Sequence, residues 1–128
     1  MSQDKQQLQQ IGEQLVALCN EGKDDEVVAR FYADNIVSIE DNGTDEAPAR
    51  IEGIDALRAK HAWWNSNVEM HSAQAEGPFI GLREDQFAVR FSMDATMPEA
   101  GRVQATEMAL YTLSDGKIVQ EEFLPLAS

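Results

Sequence analysis

Apolar side chains recur every three or four positions in the first part of the chain, which predicts amphipathic helices. The first helix is expected to stop at Gly22, and its apolar stripe is Leu8, Ile11, Leu15 and Leu18. A second helix is expected after a very short connection, with Asp24 or Asp25 as its cap and Asp34-Asn35 as its end. Its predicted buried side is Val27, Val28, Phe31 and Tyr32. The short connection predicts that the two helices pack as a hairpin.

The pattern then changes twice before residue 66. Residues 36–40 alternate and predict a short strand, and the acidic, turn-rich residues 41–48 predict a surface loop. A third helix is predicted from Gly53 to about Asn65. One stripe of this helix carries Ile54, Leu57, His61 and Trp64. His61 is therefore expected to point towards the apolar side.

From Val68 onward the chain reads as strands separated by turn segments. The predicted strands are 68–81, with a kink at Gly77-Pro78, then 86–97, 103–113 and 117–124. Asp115-Gly116 is a strong hairpin signal. Hairpin-linked strands form an antiparallel meander, because parallel neighbours each need a long crossover. Helices followed by such strands predict an α+β fold with the helices on one face of the sheet.

The two central strands distribute their apolar residues differently. In strand 86–97 one face is apolar, and its residues are Phe87, Val89, Phe91 and Met93. Strand 103–113 is apolar on both faces, with Ala109 and Tyr111 on one side and Met108 and Leu110 on the other. An apolar second face needs cover, which a second copy of the chain supplies. We therefore expect a homodimer through the sheet.

Charge and length restrict the class of protein. The net charge is −13, from 23 acidic and 10 basic residues, which repels phosphate backbones and anionic lipids. Neither nucleic acid nor a membrane is an expected partner. A length of 128 residues fits one domain, 1–128, with residues 1–5 expected to be flexible. The start of the chain is polar and lacks a secretory signal pattern, so the expected location is the cytoplasm.

Cys19 is the only cysteine, which excludes an intrachain disulfide and a Cys-rich zinc site. Its place on an apolar stripe favours a small core residue over a nucleophile. The chain has no His-x-x-x-His spacing, no glycine-rich phosphate loop and no Gly-x-Ser-x-Gly motif. Neither a metal nor another cofactor is therefore expected.

Four short segments occur in the order typical of one family: LVALCNEGK at 15–23, FYADN at 31–35, GIDAL at 53–57 and DGKIV at 115–119. With them the chain resembles, over nearly its full length, the nuclear transport factor 2-like superfamily in its SnoaL-like branch of polyketide cyclases and ketosteroid isomerases. The resemblance implies three helices packed on a curved, mainly antiparallel sheet that forms a cone-shaped cavity for a small apolar molecule.

Two functions are open, because this fold carries both proton-transfer enzymes and non-catalytic binders. One is a cofactor-independent isomerase, cyclase or dehydratase acting on a small apolar carbonyl compound. The other is a non-catalytic dimeric domain that binds a small ligand or has a structural role.

Acidic residues are the first candidates for proton transfer, which needs a base and a donor to the enolate. In ketosteroid isomerase the base follows the first strand, and the similar place here is Glu40 or Asp41, with Asp41 in the better context. Its late-strand proton donor corresponds to Glu107, whose pKa burial would raise. A solvent-facing or interface position for Glu107 is the alternative. The isomerase's helix-one tyrosine falls on Leu15, which has no hydroxyl. Tyr32 or Tyr111 is a candidate substitute, and an amphipathic core position is the alternative for both.

Further candidates line the predicted apolar surfaces. Trp63 and Trp64 end the third helix, and both suit the wall of a ligand pocket. The alternative is interface or surface packing for Trp63 and core packing for Trp64. His61 and His71 are candidate acids or bases near neutral pH, or structural residues. Asp94 is an acid within a strand.

One ion pair and the orientation of two glutamates along these strands can also be predicted. Arg90 lies on the same face as Asp94 and is its expected partner. Glu121 and Glu122 must face opposite sides of the last strand, and the sequence does not decide which of them reaches the cavity.

Overall fold

The computed structural model describes residues 5–41 and 49–127. Its three helices are α1 (Lys5–Asn20), α2 (Asp24–Phe31) and α3 (Ile54–Asn67). Its six strands are β1 (Tyr32–Ile39), β2 (Arg50–Glu52), β3 (Glu69–Ile80), β4 (Gln86–Met97), β5 (Gly101–Ser114) and β6 (Lys117–Pro125). The predicted α+β fold is confirmed. The predicted surface loop lies outside the described residues apart from Asp41, and so does the predicted flexible start apart from Lys5, which begins α1.

The strands form one sheet in the order β2-β1-β6-β5-β4-β3. The predicted meander from β3 to β6 is confirmed, and the kink at Gly77-Pro78 appears as an irregularity in the pairing of β3 with β4. β1 pairs in parallel with β6, and β2, which the sequence did not predict, pairs with the outer side of β1. The parallel pairing brings the end of β1 beside the end of the chain, where Ser38 is opposite Glu121.

The second helix is shorter than predicted. α2 ends at Phe31 and Tyr32 already has an extended backbone, so the expected end at Asp34-Asn35 was wrong. Tertiary contacts explain the early end, because the Tyr32 hydroxyl bonds to β6 and Lys117 Nζ donates to the Arg30 carbonyl oxygen at 2.8 Å. The cap prediction was also wrong: Asp24 and Asp25 lie in the first turn, and Lys23 occupies the cap position.

The core lies between the helices and one face of the sheet. Leu8 and Leu15 of α1, Leu57 of α3 and Val89 of β4 are fully buried. The outer face of the sheet keeps apolar side chains in contact with solvent, and Leu124 is 59% exposed. The expected homodimer stays a prediction. No helix within the described ranges is long and apolar enough to cross a membrane.

Asn20 ties the end of α1 to the edge strand β3. Its side chain donates to the Ala75 carbonyl oxygen at 3.0 Å and accepts from the Ala75 amide at 2.7 Å. These two bonds take the place of the backbone hydrogen bonds that a neighbouring strand would make at this edge of the sheet. We expect Asn20→Ala to lower the free energy of unfolding by about 1–2 kcal/mol, because two hydrogen bonds at a buried residue are lost. Urea denaturation measures this. Asn67→Ala, which removes one exposed hydrogen bond to Trp63, is the control, and equal losses in both variants would contradict the assignment.

Candidate active site

A cavity of about 370 Å³ lies between the helices and the inner face of the sheet. Aromatic and apolar side chains form much of its wall, among them Trp64 of α3, Phe91 and Met93 of β4, and Phe123 of β6. Ionisable side chains from four elements reach the same space: Glu40, Lys60, Glu107 and Glu121. The cavity therefore combines an apolar wall with charged groups that can transfer protons.

Glu107 reaches the cavity because of its place in β5. It lies two residues before Ala109 and four before Tyr111, which are both buried, so all three point to the same face. The register pairs Glu107 with Phe91, which also lines the cavity. The structure thus places Glu107 on the cavity face of the sheet.

The Glu107 carboxyl is unusual because it is partly buried and has no partner among the described residues. Burial, and then the negative charge of Glu40, raise its pKa from 4.5 to about 7, and the positive charge of Lys60 counteracts this. No hydrogen bond or ion pair of this side chain occurs within residues 5–41 and 49–127. Glu107 can therefore exchange a proton near neutral pH.

A continuous set of hydrogen bonds joins other polar side chains at the cavity. Glu121 is 2% exposed and accepts from the Tyr32 hydroxyl and, at 2.6 Å, from the Ser38 hydroxyl. Lys60 Nζ lies 3.0 Å from Ser38 Oγ and 2.5 Å from Glu40 Oε1. Each buried polar group is thereby satisfied, and Glu40 is held as an ion pair.

Three further candidates also line this cavity. Trp64 forms part of the wall, and the buried Tyr32 contributes its ring. His61 lines the cavity with Nδ1 at 4.0 Å from Asp25 Oδ1, as expected for a residue on the inner stripe of α3. Glu121, Lys60 and Ser38 were not singled out from the sequence as site residues, although one glutamate of the pair 121 and 122 was expected to face inward.

Four candidates lie outside the cavity. Asp41 is exposed and lies two residues beyond the end of β1 at Ile39. Trp63 is 50% exposed on the outer side of α3. His71 interrupts the pairing of β3 with β4 and binds Thr96 Oγ1 at 2.7 Å on the surface.

Asp94 is the fourth, and its predicted partner was wrong. It accepts two hydrogen bonds from Arg102 at 3.0 Å, and these lower its pKa. Arg90 pairs with Glu76 at 3.2 Å instead. Asp94 lies on the sheet face opposite Met93, where cross-strand ion pairs are exposed.

The cavity wall includes Cys19, whose chemistry follows from its surroundings. Burial is the main cause that raises the pKa of its thiol to about 12. A protonated thiol is a poor nucleophile, in keeping with a packing role. Within the described part of the chain, no three or more His, Cys, Asp or Glu side chains are placed to hold a metal ion.

The raised pKa of Glu107 predicts a pH-dependent stability. The folded pKa of about 7 exceeds the unfolded value near 4.5, so the contribution of Glu107 is fully present below pH 4.5 and is lost as the pH rises through 7. Between pH 5 and pH 8 we expect wild type to lose on the order of 2 kcal/mol relative to Glu107→Gln. Urea denaturation of both proteins at the two pH values tests this. A constant difference would contradict the raised pKa.

Comparison with known proteins agrees with this fold. Residues 7–124 match the family described as the SnoaL-like domain. A Mesorhizobium loti structure, provisionally assigned as a SnoaL-like polyketide cyclase, is 36% identical with a TM-score of 0.83, over 90% of this chain and 96% of that one. No protein of curated function matches the sequence.

Two more distant structures share the fold at lower identity. A provisionally assigned Bacillus subtilis isomerase is 18% identical, with a TM-score of 0.65 over 94% of this chain and 84% of that one. A Xanthomonas campestris protein of unknown function with a cystatin-like fold is 12% identical, with a TM-score of 0.71 over 92% and 89% of the two chains. The family match over residues 7–124 and the 36% identical structure show that the chain belongs to the SnoaL-like domain family.

Proposed function

We propose that the protein is a cofactor-independent acid–base catalyst that moves a proton next to the carbonyl group of a small, largely apolar compound. Such a reaction is an isomerisation, a cyclisation or a dehydration. The observation that supports it is the Glu107 carboxyl, which faces the cavity without a partner and has a pKa of about 7. The polyketide cyclase and isomerase assignments of the two relatives favour the same class of reaction.

Two carboxyl groups in different surroundings have different roles in this proposal. Glu40 forms an ion pair with Lys60, and a carboxylate in such a pair suits a base that removes a proton from carbon. Glu107 holds a proton near neutral pH and transfers it to the carbonyl oxygen as negative charge develops there. Two carboxyl groups in such different surroundings, one ion-paired and one partly buried, are typical of acid–base sites.

The apolar wall serves binding and the exclusion of water. Trp64, Phe91 and Phe123 present flat surfaces to the cavity, which favour a planar or cyclic ligand. Water exclusion strengthens the hydrogen bond from Glu107 to a developing negative oxygen.

Proton exchange tests the proposal without knowledge of the final product. The protein is incubated in deuterium oxide, with no cofactor added, with cyclic ketones, enones and β-keto esters, and loss of the signal of the α-proton is followed by proton NMR. We expect exchange above the buffer rate for at least one compound. Binding of these compounds, seen as a change in tryptophan fluorescence because Trp64 lines the cavity, without exchange of any of them would contradict catalysis and favour a binding domain.

A further inference from the structure

Lys60 is the one Lys or Arg side chain that lines the cavity among the described residues. Five acids line the same cavity: Asp24, Asp25, Glu40, Glu107 and Glu121. The charges near Glu107 are those of Glu40, Lys60 and Glu121, and Lys60 alone of these lowers its pKa. The position of this ammonium group therefore affects how strongly Glu107 holds its proton.

The hydrogen-bond chemistry fixes the direction of each bond to Lys60. An ammonium group only donates, so Ser38 Oγ must accept from Lys60 Nζ across the 3.0 Å contact. The single hydroxyl proton of Ser38 is then free for Glu121, which accepts it at 2.6 Å. The orientation of the Glu121 carboxylate is fixed as well, because its other oxygen accepts from the buried Tyr32 hydroxyl. Hydrogen bonds are thus donated in one direction, by Lys60 to Ser38 and by Ser38 to Glu121.

The same ammonium group is held on two other sides. It donates to Glu40 Oε1 at 2.5 Å and lies 5.3 Å from the centre of the Phe123 ring, a distance that suits a cation–π contact. The lysine side chain has many rotamers in solution, so these contacts are needed to keep the charge in one place. Ser38 is the link that joins Lys60 to the buried end of the set.

We propose that Glu121 and Ser38 form a positioning relay that fixes the Lys60 ammonium group beside Glu40, where its positive charge opposes the hold of Glu107 on the exchangeable proton. The inference rests on the proposed function in one respect, namely that these two carboxyl groups act as base and acid. Glu121 and Ser38 act through Lys60 and are positioning residues.

The relay predicts a change in titration that lost packing alone would not cause. Ser38→Ala removes the link and leaves the bond from Tyr32 to Glu121 in place. Lys60 is then less well placed, and its lowering effect on the pKa of Glu107 weakens. The full-length protein, labelled with carbon-13 at the glutamate side chains, is titrated by NMR, with Glu40→Gln and Glu107→Gln used for assignment.

We expect the Glu107 midpoint in Ser38→Ala to rise by at least about half a pH unit, and the alkaline limb of the exchange rate to move with it. Ser92→Ala is the matched control, because Ser92 lines the same cavity and belongs to no hydrogen bond of the relay. Ser38→Thr keeps the hydroxyl and should titrate like wild type. Titration curves of Ser38→Ala that superimpose on wild type would overturn the relay.

Lys60→Met provides a second test, to be used if the Ser38 variants do not fold. It removes the cation itself, so the Glu107 midpoint must rise by at least about half a pH unit above that of wild type, and an unchanged midpoint overturns the proposal. The titration needs no substrate. A shifted midpoint, with no exchange catalysed by the wild-type protein, supports the relay and counts against the proposed function. Exchange by the wild-type protein, with an unshifted midpoint in the variants, supports the proposed function and overturns the relay.

Discussion

Glu107→Gln is expected to lower the rate of proton exchange by about 100- to 10,000-fold, the usual contribution of a positioned acid or base. The amide has nearly the same shape and fills the same place on the cavity face of β5, so the fold should be retained. It has no proton to transfer near neutral pH. The exchange assay with the best compound of the panel gives the rate, and circular dichroism checks the fold.

The matched control for this change is Glu122→Gln. Glu122 is an exposed glutamate on the adjacent strand, and the same loss of charge there should leave the exchange rate within about twofold of wild type. The wild-type rate should fall as the pH rises through about 7, because the acid form of Glu107 is lost, and this limb should be absent from Glu107→Gln. Equal rates for wild type and Glu107→Gln would remove Glu107 from the mechanism.

Glu121→Ala is expected to cause the largest loss of stability, about 3–5 kcal/mol. The change leaves the hydroxyls of Tyr32 and Ser38 buried without their acceptor, which costs about 1–3 kcal/mol for each group, and it opens a hole in a fully buried region. Urea denaturation followed by circular dichroism measures the effect.

Two further variants show whether unpaired hydroxyls cause the loss. Glu122→Ala, next in sequence and exposed, should cost less than about 1 kcal/mol. Tyr32→Phe combined with Glu121→Ala should lose less stability than the sum of the single changes, because the hydroxyl that was left unpaired is also removed. A loss in Glu121→Ala no larger than in Glu122→Ala would contradict the buried hydrogen bonds.

Periodicity was sufficient for most of the fold. The apolar stripe from Leu8 to Leu18 defined α1, and the alternation from Phe87 to Met93 defined the face of β4 that meets the helices. Both patterns are local, and each depends only on one side of the element being buried. The same alternation in β5 predicts that Glu107 and Tyr111 lie on one face of the strand, and the family resemblance singled out Glu107 as a candidate proton donor.

The rest of the site depends on irregularities that alternation cannot reveal. In β6 the pairing shifts between Ile118 and Gln120, so Ile118 and Glu121 are both buried although they are three residues apart. In β3 a similar shift at His71 turns that side chain to the surface. A bulge reverses the face of every later residue, and the sequence carries no clear signal for it.

Long-range pairing is the other part that was missed. Lys60 follows the buried Leu57 by one turn of α3, and its partner Glu40 lies 20 positions earlier in the chain. The two meet because α3 packs against β1, and the parallel pairing of β1 with β6 brings Ser38 to Glu121. Tyr32 was expected to lie on a helix, and the extended backbone that carries it into the site arises from these tertiary contacts.

The central claim is that an unpaired carboxyl in the cavity holds a proton near neutral pH, and the titration of Glu107 itself tests this most directly. The carbon-13 NMR signal of its side chain is followed from pH 4 to pH 9 in the wild-type protein and assigned with Glu107→Gln. A midpoint near 7 is the result expected from burial and the nearby charge of Glu40. A midpoint near 4.5, the ordinary value for a glutamate, would contradict the claim and with it the acid–base role.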